Sequence, residues 1–369
     1  MASFENSVVV AKNLNFDMNS PKPHLGIVNA AGKIPIGTGN SFPTPEILAG
    51  SLTSPDSSIT FGYSSPNITA IVNTAVLTDL HTARFIVSVG GSSNGANYTS
   101  IATALTAAVA AGGHQTIFIQ PGTYTENLTL RANINLTAYA CDSETPNVTI
   151  VGKATATSAG TCTLSGINLQ TNGDYVLELT GANSPQIRLI DCYLNLTNAN
   201  GIHITGTGAS VIMYRCNGDC AANTYFIATA GGVKAYYCVL GSGNNTTVNS
   251  TFANSDLELD YTYFACPITT SGTGSVGFFK AQIICTNTTA LTHGGSGNSL
   301  AMETRFESGS ASAISIGSTL SVIHSSVFST NANAITGAGT LLYGMIVFYG
   351  SGASSTVNTV TQTALAILI

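Results

Sequence analysis

Charged residues are scarce in this sequence. Asp, Glu, Lys and Arg make up 8% of its 369 residues, whereas about 25% is usual for a soluble domain. The shortage does not indicate disorder, because apolar residues account for 44% of the chain and are spread along it. Since Gly, Ser, Thr and Asn are plentiful, we expect a surface of hydroxyl and amide groups, as in extracellular β-rich fibres and adhesins.

Basic clusters and long apolar runs are also missing. The 11 Lys and Arg residues occur singly and the net charge is −6, so nucleic acid is excluded as a partner. No apolar run approaches the ~20 residues of a membrane span, and the first residues carry no apolar core of signal-peptide length. We therefore expect no membrane insertion and no conventional export. A virus particle released by lysis is one route by which such a chain reaches the outside of a cell.

Tryptophan is absent, and eight cysteines in so long a chain do not require a disulfide framework. Cys192, Cys216 and Cys238 fall at equivalent positions of the repeat described below, which predicts buried free thiols that stack on one another. Cys216 and Cys220 form a CxxxC pair with only His203 nearby in sequence, and structural zinc sites show a tighter ligand pattern. The sequence predicts no metal and no cofactor.

Residues 1–88 differ from the rest of the chain. They contain most of the prolines, and short strand-like runs such as residues 7–11 and 57–72 alternate with turns. This pattern predicts a small β-rich N-terminal module or stalk, followed by a second domain at residues 89–369.

One helix is predicted, at residues 98–111, and the glycines Gly112 and Gly113 end it. Its start can be capped by Asn97, Thr99 or Ser100. Its apolar face, at helical spacing, consists of Ile101, Leu105, Ala108 and Val109.

The remainder of the chain repeats one pattern. Two apolar residues at alternate positions are followed by a two-residue skip and by two more at alternate positions, and the pattern restarts every 19 to 25 residues or so. The copies are Cys162, Leu164, Ile167, Leu169; Ile187, Leu189, Cys192, Leu194; Val211, Met213, Cys216; Val233, Ala235, Cys238, Leu240; Leu257, Leu259, Thr262, Phe264; Val276, Phe278, Ala281, Ile283; Leu320, Val322, Ser325, Val327; and Leu341, Tyr343, Ile346, Phe348. A further copy, Leu300, Met302 and Phe306, fits only with a skip one residue longer.

The skip has a physical meaning. Side chains alternate between the faces of a strand, so two inward-facing segments on either side of a parity change need a bend or bulge between them. A strand, a bend and a second strand, repeated with Gly/Asn/Ser turns, describe a parallel β-helix whose turns stack at about 4.8 Å. Such a solenoid needs capped ends, and the helix at residues 98–111 is placed to cap the first turn.

The segment YTSIATALTAAVAAGGHQTIFIQPGTYTENLTL, residues 98–130, resembles the start of the pectin-lyase-like right-handed parallel β-helix superfamily. It is most similar to pectin methylesterases, in which a capping helix leads to a strand and a PGTYxExL corner. By motif the resemblance covers residues 98 to about 151, and it continues to residue 369 as a repeat pattern. The predicted fold class is thus all-β, a right-handed parallel β-helix with an N-terminal capping helix and a small β-rich module.

The resemblance does not extend to a known activity. Methylesterase chemistry rests on two aspartates, an arginine and glutamines in blocks that usually include tryptophan, and this chain has no such block. The clustered acidic calcium ligands of the lyases are missing as well. PGTYTENLTL is therefore interpreted as scaffold. The helix, strand and corner behind a Gly/Pro/Ser-rich module also resemble phage tail fibre and tailspike proteins, and residues 34–72 resemble repeat modules of phage fibres.

Between the inward-facing residues of each turn lie residues that point outward. Across neighbouring turns they form a predicted stripe of Arg188, Tyr214, Lys234, Tyr236, Glu258, Asp260, Phe279 and Glu303. Tyrosines offer rigid contact area and a hydroxyl, which suits sugar binding. The predicted ligand contacts are Arg188, Tyr214, Lys234, Tyr236, Glu258 and Asp260.

A sharper hypothesis makes the stripe catalytic. Glu258 or Asp260 lies two turns from Glu303, or about 10 Å by the spacing of the turns. Inverting glycosidases hold their carboxyl groups roughly 6.5–9.5 Å apart, so these three acids are the catalytic candidates. The alternative is that the whole stripe is a solvated outer face of a sheet.

Three functions stay open on the sequence alone. The first is a structural and receptor-binding component of a phage tail fibre or tailspike, located on the virion or an extracellular surface, homotrimeric, and contacting a host surface glycan and other virion subunits. The second is a polysaccharide-degrading β-helix enzyme, a glycoside hydrolase. The third is a self-assembling filament or adhesin subunit.

Overall fold

The computed structural model describes residues 85–91, 96–139, 146–171, 174–181, 183–197, 200–220, 225–241 and 249–362, together with four short strands nearer the N-terminus. The chain divides into two compact units, Met1–Thr82 and Ala83–Ile369. In the first unit His24–Leu25 pairs antiparallel with Ile36–Gly37, and Ile59–Ser64 pairs antiparallel with Asn67–Val72. The predicted strand at residues 7–11 lies outside the described residues.

Among the described residues of the second unit there is one helix, Ile101–Ala111. The side chain of Ser100 caps its start by accepting a hydrogen bond from the Thr103 amide at 3.3 Å, and Gly112, with a φ of 71°, ends it. The helix packs against the strands of the first turns through a buried face. That face consists of Ile101, Ala104, Leu105 and Ala108. The prediction for Val109 was wrong, because its side chain is 50% exposed.

Glu126, the single acid of PGTYTENLTL, anchors this helix to the solenoid. One carboxylate oxygen accepts a hydrogen bond from the Ile101 amide at 2.8 Å, and the other accepts from the Ala102 amide at 2.9 Å and the Ser100 hydroxyl at 2.7 Å. A helix N-terminus presents unpaired amides and the positive end of the helix dipole, both of which favour a carboxylate. In this chain the motif therefore has a structural role, as the sequence predicted.

The rest of the unit is a right-handed parallel β-helix, which confirms the predicted fold class. Each strand pairs in parallel with the third strand further along the chain, so one turn consists of three strands and the solenoid has three sheets. The first sheet contains Phe85–Val87, Gln115–Ile119, Ile134–Ala138, Gly160–Ser165, Pro185–Ile190, Ser210–Tyr214, Gly232–Tyr236, Asp256–Asp260, Val276–Phe279, Ser299–Met302 and Thr319–Ile323.

The other two sheets follow in the same order. The second sheet contains Gly122–Thr125, Val148–Val151, Ile167–Gln170, Tyr193–Leu196, Asn217–Cys220, Val239–Leu240, Tyr263–Phe264, Gln282–Cys285 and Arg305–Ser308. The third contains Leu128–Leu130, Ala154–Ala156, Tyr175–Leu179, Asn200–Ile204, Phe226–Ala228, Ser250–Ala253, Ile268–Ser271, Leu291–His293 and Ile314–Ile316. Two long strands, Ser326–Gly344 and Val347–Gln362, continue through the sheets.

The bend predicted from the two-residue skip is a single residue in the left-handed conformation. From Gly166 onward it lies between the first and second sheets of each turn, and in the eight non-glycine cases φ is between 47° and 56°. We call these residues the corner column: Gly166, Asp191, Arg215, Tyr237, Tyr261, Lys280, Glu303, His324 and Met345. Left-handed backbone costs roughly 1–2 kcal/mol for a residue other than glycine, so the surrounding contacts must offset that cost.

The residue after each corner points inward, and where it is Cys, Thr or Ser its side chain forms hydrogen bonds with backbone groups near the bend. The Cys216 amide donates to the thiol sulfur of Cys238 at 3.4 Å, and the Cys238 amide donates to the Thr262 hydroxyl at 3.3 Å. Thr262 in turn donates to the carbonyl of Ala235 at 3.0 Å. The predicted stack of Cys192, Cys216 and Cys238 is confirmed, and these thiols are free and buried.

One copy of the repeat was misread. Leu300 and Met302 lie on the outer face, whereas Ala301 is fully buried and pairs with the inward-facing Phe278 one turn earlier. Glu303 is the corner residue and Thr304 follows it inward, so the skip has its usual length. The larger apolar side chains suggested the wrong face, because alanine fills this part of the core.

Candidate functional site

The outer face of the first sheet carries two parallel columns of side chains. Within each column, successive side chains belong to successive turns. The first column is Arg188, Ile212, Lys234, Glu258, Gly277 and Leu300. The second column is Ile190, Tyr214, Tyr236, Asp260, Phe279 and Met302.

Seven of the eight residues of the predicted stripe lie on this face. Glu303 does not: it belongs to the corner column, because the copy of the repeat around it was placed one residue out of register. Its carboxylate lies 3.8 Å from the ammonium of Lys280, and both side chains are about half exposed.

Glu258 is the centre of the polar contacts on this face. Its two carboxylate oxygens accept hydrogen bonds from the Lys234 ammonium at 2.8 Å and from the Tyr236 hydroxyl at 2.9 Å. Tyr236 also stacks on Tyr214, with ring centroids 5.0 Å apart. In-register stacking of the turns brings these four side chains together, although they are far apart in sequence.

These contacts fix the protonation of the cluster. Burial favours the neutral acid, but the hydrogen bonds from Lys234 and Tyr236 outweigh it and lower the pKa of Glu258. Burial and the adjacent carboxylate raise the pKa of Tyr236 well above its ordinary value. At neutral pH Glu258 is therefore a carboxylate and Tyr236 a neutral phenol.

An open groove of about 660 Å³ runs along the first column. Two glycines belong to its lining: Gly277 lies between Glu258 and Leu300 in the first column, where the Phe279 ring covers it, and Gly232 lies beside Lys234 at the edge of the sheet. Phe279 and Leu300 line its apolar side. Ligand sites typically occupy about 300–1,000 Å³, so the groove is large enough for a small molecule or several sugar rings.

The other predicted contacts lie around the groove. Tyr214 and Asp260 are on the second column beside it, and the exposed Arg188 is two turns before Lys234. The three candidate acids do not share one face: Glu258 and Asp260 are on the first sheet, whereas Glu303 is in the corner column. Glu258 contacts Lys234 and Tyr236 on the preceding turn, and Glu303 contacts Lys280.

A second polar cluster, on the third sheet, was not anticipated. His203 lies 3.1 Å from Glu178 and stacks on Tyr175 with centroids 4.5 Å apart. Lys153 forms ion pairs with Asp174 at 2.9 Å and with Glu178 at 3.2 Å, and it lowers the pKa of Asp174. Only the register between strands, which a single sequence does not reveal, brings these residues together.

The described residues contain neither a cluster of metal ligands nor a membrane-spanning helix. Within the ranges given above, no group of three or more His, Cys, Asp or Glu side chains is arranged to hold a metal ion. In the same ranges, no helix has the length and apolar character needed to cross a bilayer.

Comparisons with known proteins bear on the fold. No protein-family model matches the chain, and no curated protein matches it. Among solved structures, the mannuronan C-5 epimerase AlgE6 A-module of Azotobacter vinelandii is similar over 71% of this chain and 94% of its own, with a TM-score of 0.49 and 10% identity. Pectin methylesterase PemA of Erwinia chrysanthemi is similar over 76% and 93%, with a TM-score of 0.37 and 12% identity.

A viral protein is also among the similar structures. ORF18 of Geobacillus virus E2 covers 83% of this chain and 67% of its own, with a TM-score of 0.33 and 14% identity. At these levels of similarity no activity is transferred to the chain. Its parallel β-helix fold follows from its own strand pairing.

Proposed function

We propose that this protein is a structural, glycan-contacting component of a phage tail fibre or tailspike. The observation that supports it most directly is the groove on the first sheet, which is lined by Phe279 and the Lys234–Glu258 pair, with the stacked Tyr214 and Tyr236 on the adjacent second column. Aromatic rings beside fixed hydrogen-bonding groups are suited to sugar rings, which have an apolar face and a polar edge.

Binding is favoured over hydrolysis by the state of Glu258. A general acid must carry a proton near neutral pH, whereas the pKa of Glu258 is lowered and both of its oxygens are already hydrogen-bonded. A second acid would have to face it across a bound sugar. Glu303 lies instead in the corner column, paired with Lys280.

The virion location rests on the character of the sequence. The chain is poor in charge, and its helix, strand and corner behind a Gly/Pro/Ser-rich module resemble phage fibres and tailspikes. Homotrimer formation, with other virion subunits at the N-terminal module, would bury flanks of the solenoid that a single chain leaves exposed. Multi-angle light scattering of the full chain tests this: a stable trimer is expected, and a monomer would contradict the trimeric fibre.

The glycan-binding part is tested on an array of bacterial surface oligosaccharides. Binding by the unmodified chain is expected, and Phe279→Ala is expected to weaken it about tenfold or more by removing the apolar wall. Tyr139→Ala is the matched control, since Tyr139 is a 65% exposed aromatic that does not line the groove. Absence of binding, or sugar release that Glu258→Gln abolishes, would overturn the proposal.

A further inference from the structure

The groove on the first sheet has a charge imbalance that restricts what it can bind. Its lining includes one cation, Lys234, and two carboxylates, Asp256 and Glu258. Asp260 lies close by, on the second column at the same turn as Glu258. The only ammonium is 2.8 Å from Glu258 and is therefore already paired. An acidic sugar placed here would bring another carboxylate to a surface with surplus negative charge.

Hydrogen-bonding capacity nevertheless remains at the pair. A carboxylate has about four acceptor positions and an ammonium has three donors. Glu258 uses its positions for Lys234 and Tyr236, and Lys234 donates once to Glu258. Both groups can therefore bind further hydroxyls without breaking the pair. Sugar hydroxyls, which donate and accept, match this remaining capacity, and a second carboxylate does not.

Gly277 lets the Phe279 ring lie over the first column. It stands between Glu258 and Leu300 in that column, and a Cβ placed on it would lie 2.8 Å from the ring edge of Phe279. The ring therefore covers this position, and any side chain here would push the ring away. The Phe279 ring thus lies in the groove beside Leu300 and the Lys234–Glu258 pair, where it offers a pyranose an apolar surface next to polar partners.

Resting on the proposed glycan-binding function, we propose that the Phe279 ring, seated over Gly277, is the platform of a subsite for a neutral pyranose and that the groove rejects sugars bearing a carboxylate. The pyranose lies with its C–H face towards Phe279 and Leu300. Its hydroxyl groups reach the free positions of Glu258 and Lys234.

The test uses the full chain on an array that carries neutral hexose oligosaccharides beside uronate- and sialate-bearing ones. Binding to the neutral set alone is expected, followed by calorimetric titration of the tightest neutral oligosaccharide. Gly277→Ala is expected to weaken that binding at least about tenfold, because the added methyl group displaces the Phe279 ring on which the sugar lies. Gly294→Ala is the control, since a Cβ there meets only the Thr270 carbonyl oxygen at 3.5 Å.

Glu258→Gln adds a second readout. It removes one negative charge and leaves the Lys234 ammonium without its partner, so the ratio of neutral to acidic binding is expected to fall. Thermal melting of every variant separates lost binding from lost folding.

Each outcome decides between the two proposals. Neutral binding that Gly277→Ala weakens and Gly294→Ala does not supports the subsite. Binding of acidic glycans that Gly277→Ala weakens would keep the glycan-binding function and overturn the neutral preference. Neutral binding that Gly277→Ala leaves unchanged would overturn the location. If no glycan binds, the proposed function itself fails.

Discussion

Glu126 and Glu258 are both held by short hydrogen bonds, but their donors differ. Glu126 binds two backbone amides and a capping hydroxyl at the helix that closes the first turn. Glu258 binds the side chains of Lys234 and Tyr236 on an open face. Backbone amides are part of the fold, so the first carboxylate belongs to the scaffold. Exposed side chains can share their hydrogen bonds with a ligand, so the second carboxylate is available for recognition.

The largest effect on stability is expected from Glu126→Ala, which leaves the helix amides unpaired. We expect a loss of about 2–3 kcal/mol in the free energy of unfolding, measured by urea denaturation. Glu258→Ala is the matched control and should cost less than about 1 kcal/mol, as is usual for a pair with exposed partners. Equal losses for the two variants would remove the distinction between scaffold and surface.

A second comparison concerns the interior after the corner. Thr262→Val keeps the shape but leaves the Cys238 amide without its acceptor, so we expect a loss of about 1–3 kcal/mol in the free energy of unfolding. Thr269→Val, the same change on the outer face of the third sheet, should stay within about 0.5 kcal/mol. If Thr262→Val left the free energy of unfolding unchanged, the hydroxyl would not offset the cost of the bend.

Acid should destabilise the interior through His293. This fully buried ring accepts a hydrogen bond from the Thr270 hydroxyl at 2.7 Å and donates to the Thr319 carbonyl at 3.1 Å, and burial lowers its pKa below 6.5. The unfolded chain therefore binds the proton more readily, so the stabilisation is complete above about pH 6.5 and falls as the pH drops towards the lowered folded-state value.

For that group alone the slope reaches at most about 1.4 kcal/mol per pH unit. Urea denaturation between pH 7.5 and 5 measures it. His293→Gln should flatten the curve and the exposed His324→Gln should not; the reverse result would contradict the assignment to His293.

The smallest effect on stability is expected from Lys234→Met, below about 0.5 kcal/mol, because the pair is partly exposed. Its effect on the site should be clear, since losing the ammonium raises the pKa of Glu258. NMR titration of a chain labelled at the glutamate carboxyl carbons measures that change. Lys280→Met, on the corner column, is the control and should leave the pKa of Glu258 where it was.

Much of the fold was readable because the repeat obeys a simple rule. Inward residues alternate, the two-residue skip marks the corner, and thiols or hydroxyls follow it. The rule failed at Leu300, because apolar size does not determine which face a residue occupies when the core needs only Ala301. It also failed at Val109, which lies at the edge of the helix face that Ile101, Leu105 and Ala108 form.

The site was less readable. Alternation placed Lys234, Tyr236 and Glu258 on one face, but their contacts depend on the register of successive turns. The groove also includes Gly277, a position without a side chain, whereas all of the predicted ligand contacts are charged or aromatic residues. The cluster around His203 on the third sheet was missed because its contacts also depend on the register of successive turns.

The corner residue returns after 25 positions between Gly166 and Asp191 but after only 19 between Tyr261 and Lys280. Even so, strands of successive turns remain paired residue for residue on both sides of it. The alternation of inward-facing and outward-facing residues therefore restarts at each corner, whatever length of chain precedes it. Insertions and deletions elsewhere in a turn need not propagate, so loops can evolve in length while the columns of the groove stay aligned.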